Sequence, residues 1–411
     1  MAQKGVRLAK RIDEAINRIR DAFITQCQDG QQSKQLPNGH CACGQFLGEL
    51  NKTQRGLHGT AAAIRVLGSA TDGPAINLVP GLVSYVEECC LIENAQTLGS
   101  SDKRQQDTLN TIKLSEVLLS LKHLQPIVQK ESLLKALADK LKARMKPDLG
   151  WSYFVDPVAS SDRLPTAFAT AALYQFGYTE ESRKSAEGLY RHLKETYLSA
   201  DRLRQISMAD LTIDVFSLYI LTFEAPIGAH DDDLRNVFHV MWKGRWSLIE
   251  TGSEQNIEYW YERGKSCYVR VPWDLYIIAL AAHYDLRNAF CSSALQRRLL
   301  VILDQVLDGG FRYSHSGKLV SSRTNAILFE VLFHVRREIE GKSLRTGLKE
   351  RFDALLASAW TRASLVLLAV GFIVWVLYSW FKSDQAVTAV GPDLIGAIIF
   401  GLLGWAWKKP I

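Results

Sequence analysis

Gly150-Trp151-Ser152-Tyr153, followed by Leu164-Pro165-Thr166-Ala167-Phe168-Ala169-Thr170-Ala171-Ala172-Leu173, is an aromatic loop leading into a helix that opens on small residues. The same plan returns in Gly310-Phe311-Arg312-Tyr313 with Ser322-Arg323-Thr324-Asn325-Ala326-Ile327-Leu328, and in Cys43-Gly44-Gln45-Phe46 with His58-Gly59-Thr60-Ala61-Ala62-Ala63. A looser copy is Tyr259-Trp260-Tyr261 with Val271-Pro272-Trp273-Asp274. Recurrence of one unit signals stacked supersecondary elements, none of which can bury its apolar face alone. Small residues at a helix start permit close approach to a neighbour, and glycine lets the preceding loop turn where a side chain would collide.

Between the copies, apolar residues recur at three- and four-residue steps, as in Leu114, Val117, Leu118 and Leu121, and again in Leu211, Val215, Leu218 and Tyr219. About a dozen helices precede residue 340, enough for five or six hairpins, and no alternating strand run stands out. The expected class is all-α. GW-x-Y and GF-x-Y loops followed by Thr-Ala-rich helices resemble the repeats of the prenyltransferase, squalene cyclase and terpene cyclase superfamily. That resemblance spans residues 1 to about 340 and implies an α/α toroid, a helical-hairpin barrel with a central cavity lined by its inner helices. It does not by itself imply catalysis.

A second domain is written in hydropathy. Residues 363–381, ASLVLLAVGFIVWVLYSWF, carry no charge, and a helix of that length covers roughly 28 Å, the thickness of a bilayer core. Residues 386–407 form a second apolar run, interrupted near its start by Gly391-Pro392-Asp393. Arg345, Lys349, Arg351 and Arg362 precede the pair and Lys408 and Lys409 follow it, so both ends face the cytoplasm. The expected organisation is a toroid over 1–340, a juxtamembrane connector helix over 341–362, and transmembrane helices over 363–381 and 386–407. The protein is then a two-span protein of an inner or plasma membrane with a cytoplasmic domain. Ala397, Gly401 and Gly404 allow close helix packing, within the hairpin or between copies in a homo-oligomer.

The net charge of +6 is spread among interspersed acids and bases, which excludes a nucleic-acid-binding surface. Seven irregularly spaced cysteines argue against a disulfide framework.

Candidate chemistry is sparse. The aromatic loops carry Trp151, Tyr153, Glu258, Tyr259, Trp260, Tyr261, Arg270, Trp273 and Asp274, read either as structural fillers or as the mouth of a ligand site. Residues 256–274, NIEYWYERGKSCYVRVPWD, are the densest polar-aromatic segment. Asp231-Asp232-Asp233 is the nearest match to the acidic cluster with which the resembled cyclases protonate substrate. It is also what the N-terminus of a helix favours. Cys41, Cys43 and His58 are zinc-compatible donors without the spacing of an ordinary zinc site. No cofactor is implied. The expected partners are the lipid bilayer and a hydrophobic small molecule or protein. Two activities follow: a membrane-anchored sensor or effector, as in bacterial defence or stress response, or a cyclase-like enzyme acting on an isoprenoid or lipid-like substrate.

Overall fold

The computed structural model describes residues 2–31, 39–44, 46–47, 56–68, 70, 73–96, 110–122, 124, 130–153, 160–199, 208–250, 257–262, 265–270, 273–291, 293–311 and 320–357. Among these the protein is overwhelmingly helical. The helices are α1 (Ala2–Gln31), α2 (Leu57–Leu67), α3 (Gly73–Gln96), α4 (Thr111–Leu121), α5 (Glu131–Ala143) and α6 (Arg163–Gln175). The series continues with α7 (Thr179–Tyr197), α8 (Met208–Tyr219), α9 (Asp231–Glu250), α10 (Trp273–Cys291), α11 (Ser293–Leu307) and α12 (Ser322–Ala357). The chain divides into a unit over 1–339 and another over 340–411. No helix among the described residues is long and apolar enough to cross a membrane, and both expected spans lie outside those residues.

Helices of the first unit alternate between two kinds. Every residue from Leu164 to Leu173 of α6 is buried, and α4 is buried from Ile112 to Leu121 with the single exception of Lys113. By contrast, α5 buries only Leu133, Leu134, Leu137, Ala138 and Leu141, and α11 buries Leu299, Ile302, Leu303 and Val306. A helix apolar all round has neighbours on every side, whereas one with a single apolar stripe lies at the surface. The even-numbered helices are therefore the inner layer and the odd-numbered ones the outer layer. Contacts follow suit: α2 packs on α4, α4 on α6, α6 on α8 and α8 on α10, while α3, α5, α7, α9 and α11 cover them.

The start and end of this array meet. Helix α1 packs against α2, α3 and α11. Arg336 of α12 donates to Asp13 at 2.8 Å, Arg11 pairs with Asp304, and Arg65 of α2 pairs with Glu330 of α12. Strands β1 (Phe46–Leu47) and β4 (Val320–Ser321) pair antiparallel across the same closure.

The recurring loops have a common function. The backbone N–H of Trp151 donates to the Thr166 hydroxyl at 2.9 Å, and that hydroxyl donates to the Asp162 carbonyl at 2.6 Å. Cys43 N–H reaches Thr60 Oγ1 at 3.2 Å, and Thr60 returns to the Gly56 carbonyl at 2.9 Å. Phe311 N–H reaches Asn325 Oδ1 at 3.1 Å while Asn325 Nδ2 returns to the Phe311 carbonyl at 3.1 Å. In all three copies the polar residue is the fourth of its inner helix. This sets the register: Cys43, not Gly44, stands where Trp151 and Phe311 stand.

One expectation is overturned. The segment containing Tyr259-Trp260-Tyr261 forms β2 (Ile257–Glu262), paired antiparallel with β3 (Lys265–Arg270), Tyr259 opposite Tyr268. Aromatic and β-branched residues favour an extended pleat, and only Arg263 and Gly264 separate the strands, the length of a tight hairpin link.

Gly59 marks the closest approach of loop and helix: a Cβ there would lie 2.1 Å from the Gly44 carbonyl oxygen. Gly59→Ala should lower the thermal midpoint of the full chain by several degrees. Gly188→Ala, on the open face of α7 where a Cβ meets nothing within 4 Å, should raise stability by about 0.5–1 kcal/mol. Melts followed by circular dichroism compare the two, and equal midpoints would remove the close-approach argument.

Candidate functional site

The residues expected to form a ligand mouth lie on different elements. Trp151 is wholly buried, and its indole N–H donates to the Leu141 carbonyl at 2.8 Å, so it fills the layer between α5 and α6. Tyr153 is partly buried against the core, and its carbonyl accepts the first N–H of α4 at 3.0 Å. Glu258, Tyr259, Trp260, Tyr261 and Arg270 belong to the β2–β3 hairpin. Trp273 and Asp274 are buried at the start of α10, where Asp274 Oδ2 accepts from Arg298 at 2.6 and 3.1 Å.

Asp231, Asp232 and Asp233 form the first turn of α9. Arg235 pairs with Asp231 at 3.6 Å and Asp232 at 3.5 Å, and the Asp232 side chain is 92% exposed. Asp233 meets Lys194 at 2.7 Å and the Tyr190 hydroxyl, and these bonds hold its carboxyl below the ordinary range. An ionised carboxylate in water is a poor acid for protonating a hydrocarbon. Its geometry is that of a solvated helix N-terminus. Cys41 Sγ donates to the Cys27 carbonyl at 3.1 Å, Cys43 Sγ lies 3.3 Å from Cys27 Sγ, and His58 turns to Glu116. Among the described residues no group of three or more His, Cys, Asp or Glu side chains is arranged to hold a metal ion.

The unusual chemistry lies elsewhere, among the inner helices. His58 Nδ1 of α2 faces Glu116 of α4 at 3.3 Å, and Arg323 of α12 takes the other carboxylate oxygen of Glu116. Arg65 pairs with Glu330, and Lys122, just after α4, with Glu224. Glu224 sits in a π-helical turn, Ile220–Glu224, that continues α8. Between the pairs runs a chain of rings. Phe168 lies 4.4 Å from Phe216, Phe216 5.1 Å from Tyr276, Tyr276 4.6 Å from Tyr219, and Tyr219 5.0 Å from Phe223. His334 closes the chain at 4.2 Å from Phe223.

Burial sets the proton affinities. Loss of solvent lowers His58 to about 4 despite its bond to Glu116, so the imidazole is neutral near pH 7. Burial alone would raise Glu116, but the Arg323 charge and the His58 bond override it and hold the carboxyl at about 2. Burial opposes the Arg65 cation as well, yet the Glu330 carboxylate beside it raises its affinity for the proton above normal. The Tyr219 hydroxyl is pushed well upward, chiefly by burial and then by Glu330 and Glu224, so it stays an O–H donor.

Neither the Tyr219 hydroxyl nor Arg65 Nε has a hydrogen-bond partner, although both atoms are buried. The aromatic-loop pattern gave no sign of this cluster. A readable signal was one or two charges set inside otherwise apolar helical runs: Arg65 in AAAIRVL, Glu116 in LSEVLLSL, Glu224 in YILTFE, and Arg323 and Glu330 in SRTNAILFEVLF. Comparison with protein-family models and with curated proteins returns no match for this chain.

The proton affinities give a sign for acid stability. His58 and Glu116 both bind protons less readily when folded than their ordinary values of 6.5 and 4.5, so the unfolded chain takes protons first as pH falls. Their stabilising contribution is complete above about pH 6.5, declines toward pH 4 through His58, and declines further toward pH 2 through Glu116. Urea midpoints should fall from pH 7 to pH 4.5, whereas a flat profile would contradict these assignments. Glu116→Gln should destabilise by about 3–5 kcal/mol by leaving the buried Arg323 without its carboxylate.

Proposed function

We propose that this protein is a membrane-anchored sensor or effector. Its helical domain closes as an α/α toroid, binds a ligand among its inner helices, and couples that state to a C-terminal transmembrane hairpin. Support for closure is the packing of α1 on α11, the β1–β4 pairing, and the ion pairs from α12 back to α2 and α4. Support for the anchor is the charge-free run of residues 363–381 and the apolar run of residues 386–407. The reading also keeps the resemblance of the Gly-aromatic repeats to the cyclase superfamily.

The observation that carries ligand binding is two buried donors without a hydrogen-bond partner, Tyr219 O–H and Arg65 Nε–H, beside the Arg65–Glu330 and Lys122–Glu224 ion pairs. A buried polar group without a partner costs about 1–3 kcal/mol, and sites that bind something are where such a cost persists. A π-helical turn at Ile220–Glu224 points the same way, since such turns recur at functional sites. Coupling is argued from continuity: the helix that carries Arg323 and Glu330 runs on to Ala357, shortly before residue 363. The enzymatic alternative on an isoprenoid or lipid-like substrate draws no support from the acids singled out among the described residues. Glu116 is ionised, and Asp231, Asp232 and Asp233 are solvated.

Tyr219→Phe separates a binding role from a structural one. It keeps the ring and removes only the unpartnered hydroxyl. Its thermal midpoint should therefore equal or slightly exceed wild type, by up to about 1 kcal/mol. In cells, the full chain should alter membrane potential, while a chain ending at Ala357, and Tyr219→Phe, should not. A destabilised Tyr219→Phe would mean that the hydroxyl has a structural partner. Identical potentials in all three strains would remove the effector reading.

A further inference from the structure

The charge census of the inner cluster restricts what its unpartnered donors can hold. Three cations, Arg65, Lys122 and Arg323, face three anions, Glu330, Glu224 and Glu116, each cation against its own carboxylate. Two imidazoles add no charge near neutral pH, because burial takes His58 to about 4 and lowers His334; a third, His283, lies 5.3 Å from Phe223 and faces the Glu338 carboxylate at 2.9 Å. An anionic ligand would therefore enter a buried region with no surplus cation, and an uncompensated ion there costs several kcal/mol. Tyr219 O–H and Arg65 Nε–H are both donors, so a ligand held by them must offer an acceptor. The surfaces around Tyr219 are the faces and edges of Tyr276, Phe223 and His334, which favour a flat apolar body.

Resting on the binding reading above, we propose that the Tyr219 hydroxyl and Arg65 Nε–H hold the acceptor oxygen of an uncharged, flat, largely apolar molecule, the class of an aromatic or conjugated ketone. Its body lies against the Tyr219, Tyr276 and Phe223 rings. The ligand class differs from one recognised through a phosphate or carboxylate, which would need free cations that this cluster does not supply. The guanidinium of Arg65 keeps its salt bridge to Glu330 and spends only its Nε–H on the ligand, so binding breaks no existing pair.

Acetophenone and benzoate make a matched pair of probes: one ring, with a neutral ketone on the first and a carboxylate on the second. Added to the purified full chain in detergent at pH 7, acetophenone should raise the unfolding temperature saturably and benzoate should not. In Tyr219→Phe the half-saturating concentration of acetophenone should increase about tenfold, the loss of one hydrogen bond of ~1.4 kcal/mol. Tyr190→Phe, which removes a hydroxyl on the outer helix α7 that bonds Asp233, should leave the half-saturating concentration within about twofold. Benzoate binding as well as or better than acetophenone, with loss in Tyr219→Phe, would overturn the uncharged class while leaving the site in place. No saturable shift with either probe, or shifts identical in wild type and Tyr219→Phe, would overturn both, the donors then holding a trapped water only.

Discussion

A backbone N–H leaving a loop and ending on a side chain one turn into the next helix is the constraint on which the layered arrangement rests. Thr60, Thr166 and Asn325 each sit fourth in an inner helix and each accept such a bond from the loop before it. The bond satisfies a buried loop donor that water cannot reach, and it fixes how far the loop lies from the helix axis. Once that distance is set, the outer helix before the loop and the inner helix after it have one way to pack. The same residue also ties its helix start internally, since Thr60 and Thr166 return to the carbonyl four residues back. A valine of equal size would keep the shape and lose both bonds.

This arrangement makes the interior an expensive place for charge, and yet charge is there. Three of the ion pairs join one inner helix to another: α2 with α12, α4 with α12, and the end of α4 with the π-turn after α8. Buried ion pairs seldom stabilise relative to apolar residues of the same volume, but removing one partner is costly. The pairs thus fix which helices can be neighbours more than they strengthen the fold. They also spread that specificity over α12, so the last inner helix is held to the first two by electrostatics as well as by packing.

Much of the helical layering was legible in the sequence because glycine, aromatics and small residues recur where the chain enters an inner helix. Trp151-Thr166 and Phe311-Asn325 follow from that pattern directly. In the Cys43 copy the glycines suggest a register that pairs Gly44 with Gly150, whereas the hydrogen bond aligns Cys43 with Trp151. The hairpin over Ile257–Arg270 departs from the repeat plan because its Tyr, Trp and Val content is the ordinary mark of a strand. Asp231, Asp232 and Asp233 stood out as a run in sequence, yet a run at a helix start is the solution by which acids remain solvated and meet the helix dipole.

The inner cluster escaped for the opposite reason. Its members are single charges separated by up to 265 positions, as Arg65 and Glu330 are, and nothing local links them. What singles them out is context: a charge set in an apolar helix has to find its partner across the core, because its own neighbours offer none. Tyr219 is harder still, since a tyrosine in an apolar run reads as filler. Its hydroxyl becomes informative only when the surrounding carboxylates are seen to be taken by Arg65 and Lys122, which leaves an O–H that cannot ionise and has nothing to donate to.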